Sequence, residues 1–382
     1  MNTSWWRKKE ELDHDQKAFI RLPASGKHAL TGPPGSGKTN LLLLRAQFFA
    51  GLGEKNTLVI TYTNALADFI RTGIGSKGLI LPDQIKTYHS WAFDHVRQYL
   101  GTSAIPKDMK FDESTRAKVL EMVVSANSKL KSKALFSGIF VDEAQDLSRD
   151  ELEALLTLSE NVCICGDANQ GVFFQDGLDV ASKLGLTPHV LSNHYRIGHA
   201  IARVADRLMP PEHKKDSLEN TSGYNVKTQG TSSAEMDEFA SRDEQFDKMV
   251  ERIRVQLDAF AGDSIGIICG KKETLSELRQ RFDKTDLKTQ VVIHGLDADA
   301  SFAGAERIHV LTIHAAKGAE FRAVHLFGAE DLRNYPLNRT KLGFTAVTRA
   351  KTALNTYRTG PTNRGLENAF SKPALCEIDD LF

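Results

Sequence analysis

Only four cysteines occur in 382 residues, and Cys163, Cys165, Cys269 and Cys376 neither pair as C-x-x-C nor stand beside histidines at zinc-ligand spacing. A disulfide scaffold and a zinc ribbon are excluded, and reduced thiols in a cytoplasmic chain are expected. An excess of charge of one sign is also missing. Forty-nine basic and forty-nine acidic residues cancel, which removes a globally basic footprint while leaving room for a locally basic groove. No apolar run reaches the roughly 20 residues of a membrane-crossing helix, and the longest candidate, residues 41 to 50, is broken by Arg45 and Gln47. Residues 1 to 13 carry charge without an apolar centre, so neither a secretory leader nor a membrane partner is expected. What remains is an ordinary globular composition, 41% hydrophobic and 26% charged, at a length suited to two or three domains.

The strongest local signal is Gly32-Pro33-Pro34-Gly35-Ser36-Gly37-Lys38-Thr39, which fits G-x-x-x-x-G-K-[ST] and runs into a helical stretch from Asn40. Glycines let backbone N–H groups approach phosphate oxygens, and the helix N-terminus favours the anion. Lys38 is placed to reach the outer phosphates and Thr39 to ligate Mg²⁺. An acidic partner for hydrolysis stands at Asp142-Glu143, after the short apolar run Gly138-Ile139-Phe140-Val141. That run reads as a buried parallel strand. Asp142 at its end is a metal ligand by this reading, and Glu143 the group that orients and deprotonates an attacking water.

Several further segments, in order, resemble superfamily 1 helicases of the UvrD/Rep type: Asp15-Gln16, Thr61-Tyr62-Thr63-Asn64, Thr87-Tyr88-His89-Ser90 and Gly166-Asp167-Ala168-Asn169-Gln170 in the first half, then Asn193-His194-Tyr195-Arg196, Thr312 to Phe321 and Val347-Thr348-Arg349-Ala350 in the second. The match spans nearly the whole chain. The resemblance implies ATP as substrate with Mg²⁺. Gln16 would read adenine, Tyr195 would pack on it and Glu320, after Gly318, would contact the ribose. Gln170, Arg196 and Arg349 would sense the γ-phosphate. It further implies single-stranded DNA, with RNA not excluded, held by Tyr62, Thr63, Asn64, Thr87, His89, Phe173 and His314, and travel from 3′ to 5′.

Physical reasoning supports part of this. Arginines delivered from a second domain stabilise charge that develops on a transferring phosphoryl group, and aromatic faces hold bases without reading them. Plainer readings stand beside these: Arg196 and Arg349 as salt-bridge partners, Tyr62 and Phe173 as core, and the histidines as structural groups.

Alternating patterns predict an α/β chain of two RecA-like doubly wound parallel-sheet lobes, 1–190 and 191–370, with a small helical insertion at about 95–133 and a flexible tail, 371–382. Strands are expected at 57–61, 139–141, 162–165, 265–269, 307–312 and 324–327. Helices are expected at 40–50, 112–126, 149–158, 197–208, 243–260 and 271–282, with Ser148 and Asp263 as boundaries. The polar stretch 210–241 reads as a loop-dominated linker or a small embellishment. The accessory insertions of larger relatives are short or nearly absent, so translocation is expected ahead of unwinding. Two other functions fit the same residues: an ATP-driven switch subunit of a nucleic-acid-processing or defence complex, and a small-molecule P-loop kinase, which the paired arginines argue against. The tail, Ala374 to Phe382, alternates acidic and apolar residues and reads either as a frayed end or as a peptide that docks on a protein partner. The Trp5-Trp6 pair reads as packing against the first lobe.

Overall fold

The computed structural model describes residues 11–74, 78–106, 109, 114–132, 134–171, 176–302 and 304–371. Phe173, the Trp5-Trp6 pair, Cys376 and the tail beyond Ser371 lie outside them. The first half runs α1 (His14–Ile20), β1 (Lys27–Thr31), α2 (Lys38–Gly51), β2 (Thr57–Thr61), α3 (Asn64–Ile74), β3 (Ile85–Thr87), α4 (Tyr88–Leu100), α5 (Arg116–Asn127), β4 (Gly138–Val141), α6 (Arg149–Leu156), β5 (Val162–Gly166), α7 (Val180–Lys183) and β6 (Thr187–Val190). The second continues with α8 (His199–Leu208), α9 (Val226–Gln229), β7 (Ser233–Glu238), α10 (Arg242–Ala259), β8 (Ile265–Cys269), α11 (Glu273–Phe282), β9 (Val291–Ile293), β10 (Ile308–Thr312), β11 (Phe321–Leu326), α12 (Thr340–Val347), β12 (Ala350–Arg358) and α13 (Arg364–Phe370).

Two six-stranded sheets result, ordered β3-β2-β4-β5-β1-β6 and β7-β12-β11-β8-β10-β9, and every strand pairing is parallel. Parallel sheets need both faces covered, which is why β2, β4, β5, β8 and β10 are buried along their whole length. The chain is thus α/β with two RecA-like lobes. Helix starts are set locally. Ser148 caps α6 by accepting the Glu151 N–H while the Glu151 carboxylate accepts the Ser148 N–H. Ser241 and Thr87 cap α10 and α4.

Three expectations need correction. The strand expected at 324–327 occupies Phe321–Leu326, because Phe321, Ala323 and Val324 pack into the second lobe's two cores. The stretch 210–241 ends in a real edge strand, β7, paired to β12. Its acids hid it: Glu235 and Asp237 pair with Arg252, and Glu238 with Arg358, where an apolar run would have signalled a strand. Asp263 bounds no helix; it lies in the turn between α10 and β8, its N–H donating to Phe260 O.

In the insertion, α4 reaches Leu100 and α5 follows from Arg116. Their apolar faces (Tyr88, Trp91 and Val96; Val119 and Val123) share one core with β2 and β4.

Candidate active site

Strands β1, β5 and β4 stand side by side, so their C-terminal ends deliver Gly32 to Thr39, Asp167 to Gln170 and Asp142-Glu143 to one edge of the first sheet. The second lobe faces that edge with different parts of its strands: Glu320 immediately precedes β11, Arg349 immediately precedes β12, and Lys351 is that strand's second residue. Between them lies a cleft of about 660 Å³, lined by Gln16, Gly35, Lys38, Glu143 and Gln170 on one side and by Tyr195, Arg196, Glu320, Arg349 and Lys351 on the other.

The phosphate loop is shaped for close approach. Gly35 has φ +79°, and a Cβ there would meet Arg196 Cβ at 2.9 Å; only glycine serves both the left-handed backbone and the contact. The loop is clasped across the seam, since the Tyr195 N–H donates to Gly35 O at 3.1 Å. Lys38 Nζ lies over the loop, donating to Gly32 O at 2.8 Å and Pro33 O at 2.9 Å. Among the described residues Ser36 Oγ is buried without a hydrogen-bond partner.

The two acids behind the loop are poised differently. Asp142 Oδ1 accepts from the Cys165 thiol at 2.9 Å and the Glu143 N–H at 3.0 Å, while buried Oδ2 has no hydrogen-bond partner. Burial, then the neighbouring Glu143, pushes the Asp142 carboxyl up, and the Cys165 thiol and the Thr39 hydroxyl pull it back. Glu143 is also pushed up by burial, but Lys317, Arg349 and Lys38 outweigh this and hold it below the ordinary carboxylate range. Glu143 is the only non-glycine with positive φ among the described residues, at +55°, a backbone conformation sparsely used by side chains with a Cβ and retained where a site over-determines it. Its Oε2 accepts from Gln145 Nε2.

Residues fit for a phosphate-bound cation are therefore present. Thr39 and Asp142 are adjacent, the Thr39 hydroxyl acting on the buried Asp142 carboxylate. Among the described residues no cluster of three or more His, Cys, Asp or Glu could hold a metal alone.

On the facing wall Arg196 donates to Glu320 and to Thr348 O at 3.2 Å, and Lys351 pairs with Glu320 Oε1 at 2.7 Å. Burial pushes Glu320 up, yet the two cations bring it down to about 2. Arg349 is 2% exposed; it crosses the seam to Gln170 Oε1, whose Nε2 donates to Asp167 Oδ2 at 2.9 Å. Burial, reinforced by Arg196, lowers Arg349 to about 10, still cationic at neutral pH.

Other expected residues are placed less simply. Gln16 is buried, its Nε2 donating to Ser36 O at 2.8 Å and its Oε1 accepting the Asp13 N–H at 3.1 Å, so both ends of the amide are engaged by the chain. Tyr195 donates to Asp13, with its ring against Gly223. Gly318, at φ +77°, would clash with Leu66 of the first lobe if it carried a Cβ. Thr63 and Thr87 use their hydroxyls to cap α3 and α4, and Asn64 is exposed at the start of α3. Tyr62 and His89 meet edge to face, centroids 5.3 Å apart; burial and then Arg116 bring His89 down to about 4. His314 is half-buried on the second lobe, lowered by burial and then by Arg339, Lys317 and Lys272.

Sequence reasoning missed three cations. Lys317 lay inside a quoted motif without a role; it enters the first lobe, with Nζ 2.5 Å from Asp146 Oδ2, 2.6 Å from Gln170 O and 3.9 Å from Glu143 Oε2. Lys351 stands one residue past the last motif. Arg116 had no motif to mark it.

Fold and site together define a P-loop NTPase. Residues 16–174 match the family model of an AAA domain, and residues 307–357 match that of the UvrD-like helicase C-terminal domain. The two matches support a superfamily 1 helicase of the UvrD/Rep type. No curated protein matches the chain. One similar solved structure, "The structure of PRRSV helicase", is 16% identical with a TM-score of 0.44 over 94% of this chain and 57% of that one; this chain therefore spans less than two thirds of that length. Among the described residues no helix is long and apolar enough to cross a membrane.

Proposed function

We propose that the chain is an ATPase that steps along single-stranded DNA, in the 3′-to-5′ sense that the UvrD/Rep resemblance implies. The observation that carries the reading is the contact of Arg349 with Gln170 across the seam, beside Glu143 and opposite Lys38. ATP is the substrate, its phosphates on the Gly32–Thr39 loop. Thr39 and Asp142 would hold Mg²⁺, which supplies charge neutralisation on the phosphates.

Glu143, kept ionised by Lys317, Arg349 and Lys38, orients the attacking water and accepts its proton. Arg196 and Arg349 bring positive charge to the transferring group only when the lobes are closed, so chemistry and closure are one event. Opening after hydrolysis releases this grip, and alternate closure and opening moves the strand between a first-lobe platform at Tyr62 and His89 and a second-lobe contact at His314. We place the boundary between lobes after residue 190, between the last strand of one sheet and the helices leading into the other.

The helices between 88 and 127 are packed into the first lobe's core, which favours movement on a strand over separation of a duplex. ATP turnover with and without oligo(dT) tests the proposal, together with displacement of a labelled protein from either end of the strand. Strand-stimulated turnover with clearance toward the 5′ end is expected. Turnover indifferent to the strand would overturn the motor, and stimulation without displacement would favour a switch subunit.

A further inference from the structure

Arg116 is a buried cation that the proposed chemistry does not use. It starts α5 at 7% exposure. Its Nε donates to Glu151 Oε1 at 2.7 Å, and Nη2 donates to the second oxygen of the same carboxylate and to Asp146 O at 2.8 Å. Its guanidinium carbon also lies over the Tyr62 ring, 5.9 Å from the centroid, within the reach of a cation–π contact. One planar group therefore lies over the Tyr62 ring and holds the main chain of the turn that begins at Glu143.

That turn is short and held from both ends. The Asp146 N–H closes it onto Glu143 O at 3.0 Å, Glu143 sits at φ +55°, and the Asp146 carboxylate takes Lys317 from the other lobe. Glu151 is fixed independently, because its Oε2 accepts the Ser148 N–H at 2.7 Å. A shift of the Tyr62 ring when a base stacks on it has to be accommodated by Arg116. Arg116 in turn holds the Asp146 carbonyl, and the Asp146 N–H is bonded to Glu143 O in the same turn.

We infer that Arg116 is a positioning residue that ties occupancy of the Tyr62–His89 platform to the alignment of Glu143, so that strand binding accelerates hydrolysis through this one side chain. The inference rests on the proposed strand-dependent ATPase and adds to it the residue that carries the dependence.

Two variants test it. Arg116→Lys keeps a cation for Glu151 but loses the planar fork that reaches Tyr62 and Asp146 together. Arg116→Met with Glu151→Gln removes the buried charge pair as a unit, avoiding an uncompensated carboxylate, and keeps a side-chain acceptor for the Ser148 N–H. Each is measured for ATP turnover without strand, for turnover with saturating oligo(dT), and for affinity toward fluorescein-labelled oligo(dT) by anisotropy. Oligo(dT) affinity near wild type, with the ratio of stimulated to basal turnover reduced by about tenfold or more, is the expected result. Wild-type stimulation in both folded variants would overturn the inference alone, as would a proportional fall in basal and stimulated turnover, which marks a purely structural role. A wild-type chain that binds no oligo(dT) would overturn the underlying motor reading as well. One that binds it without acceleration would remove the dependence Arg116 is inferred to carry.

Discussion

The two walls of the cleft are built on different plans. The first lobe offers strand C-termini, with loop amides, one lysine and two carboxylates, whereas the second offers Arg349 and Lys351 at the start of β12, Lys317 in the loop before β11 and Arg196 ahead of α8, with Glu320 held between Arg196 and Lys351. The first wall carries a complete phosphate loop; the second carries cations that cross the seam to Gln170 and Asp146. Under the proposed function, this division would let one lobe retain a nucleotide while the other sets when it is cut.

Separating retention from cutting is the sharpest way to break the comparison. Glu143→Gln keeps the size and hydrogen-bonding of the side chain but removes the base, and turnover is expected to fall by about 10²- to 10⁴-fold with nucleotide affinity preserved, as read by steady-state kinetics and equilibrium binding. Loss of affinity in parallel would show that Glu143 belongs to binding.

Lys317→Met tests whether the walls are joined by charge. It deprives the fully buried Asp146 of its ammonium partner, a loss worth about 3–5 kcal/mol for a buried pair. A lower melting temperature and a larger radius of gyration by X-ray scattering are expected. Unchanged values would mean that the seam is held by other contacts.

The smallest expected effect concerns acid, and it falls on the second lobe. His325 and His309 are buried, and burial brings each down to about 3. The unfolded chain takes protons on both from about pH 6.5 downward while the folded chain does not. Stability therefore falls as pH drops through this window, by about 2 kcal/mol for each group at pH 5. His325→Asn should flatten part of the decline in melting temperature between pH 7 and pH 5; an equally steep decline would remove His325 from the account.

The first wall was legible in the sequence because its chemistry is contiguous: an apolar run predicts a buried strand, and the residues after it inherit a known position at the sheet edge. Asp142-Glu143 is read that way, and Gly32–Thr39 is read from its own G-x-x-x-x-G-K-[ST] spacing and the helix that follows it. The second wall is assembled from single residues whose neighbours say little, so Arg196 and Arg349 emerged through resemblance, while Lys317 and Lys351 emerged only when the lobes were seen together. Strand β7 escaped for a related reason, since its acids are matched by arginines distant in sequence. Gln16 shows the reverse: the resemblance gave it adenine, but its amide is bound to Ser36 O and, as the second half of a capping box on α1, to the Asp13 N–H. Thr63 and Thr87 likewise serve first as helix caps.

The central claim is that a residue from the second lobe completes a site the first lobe has already filled. Arg349→Ala, assayed for ATP turnover and for affinity toward a non-hydrolysable ATP analogue on one preparation, measures this directly. The account predicts near-normal affinity with turnover reduced by about 10³-fold or more. Turnover close to wild type, with the analogue still bound, would contradict it.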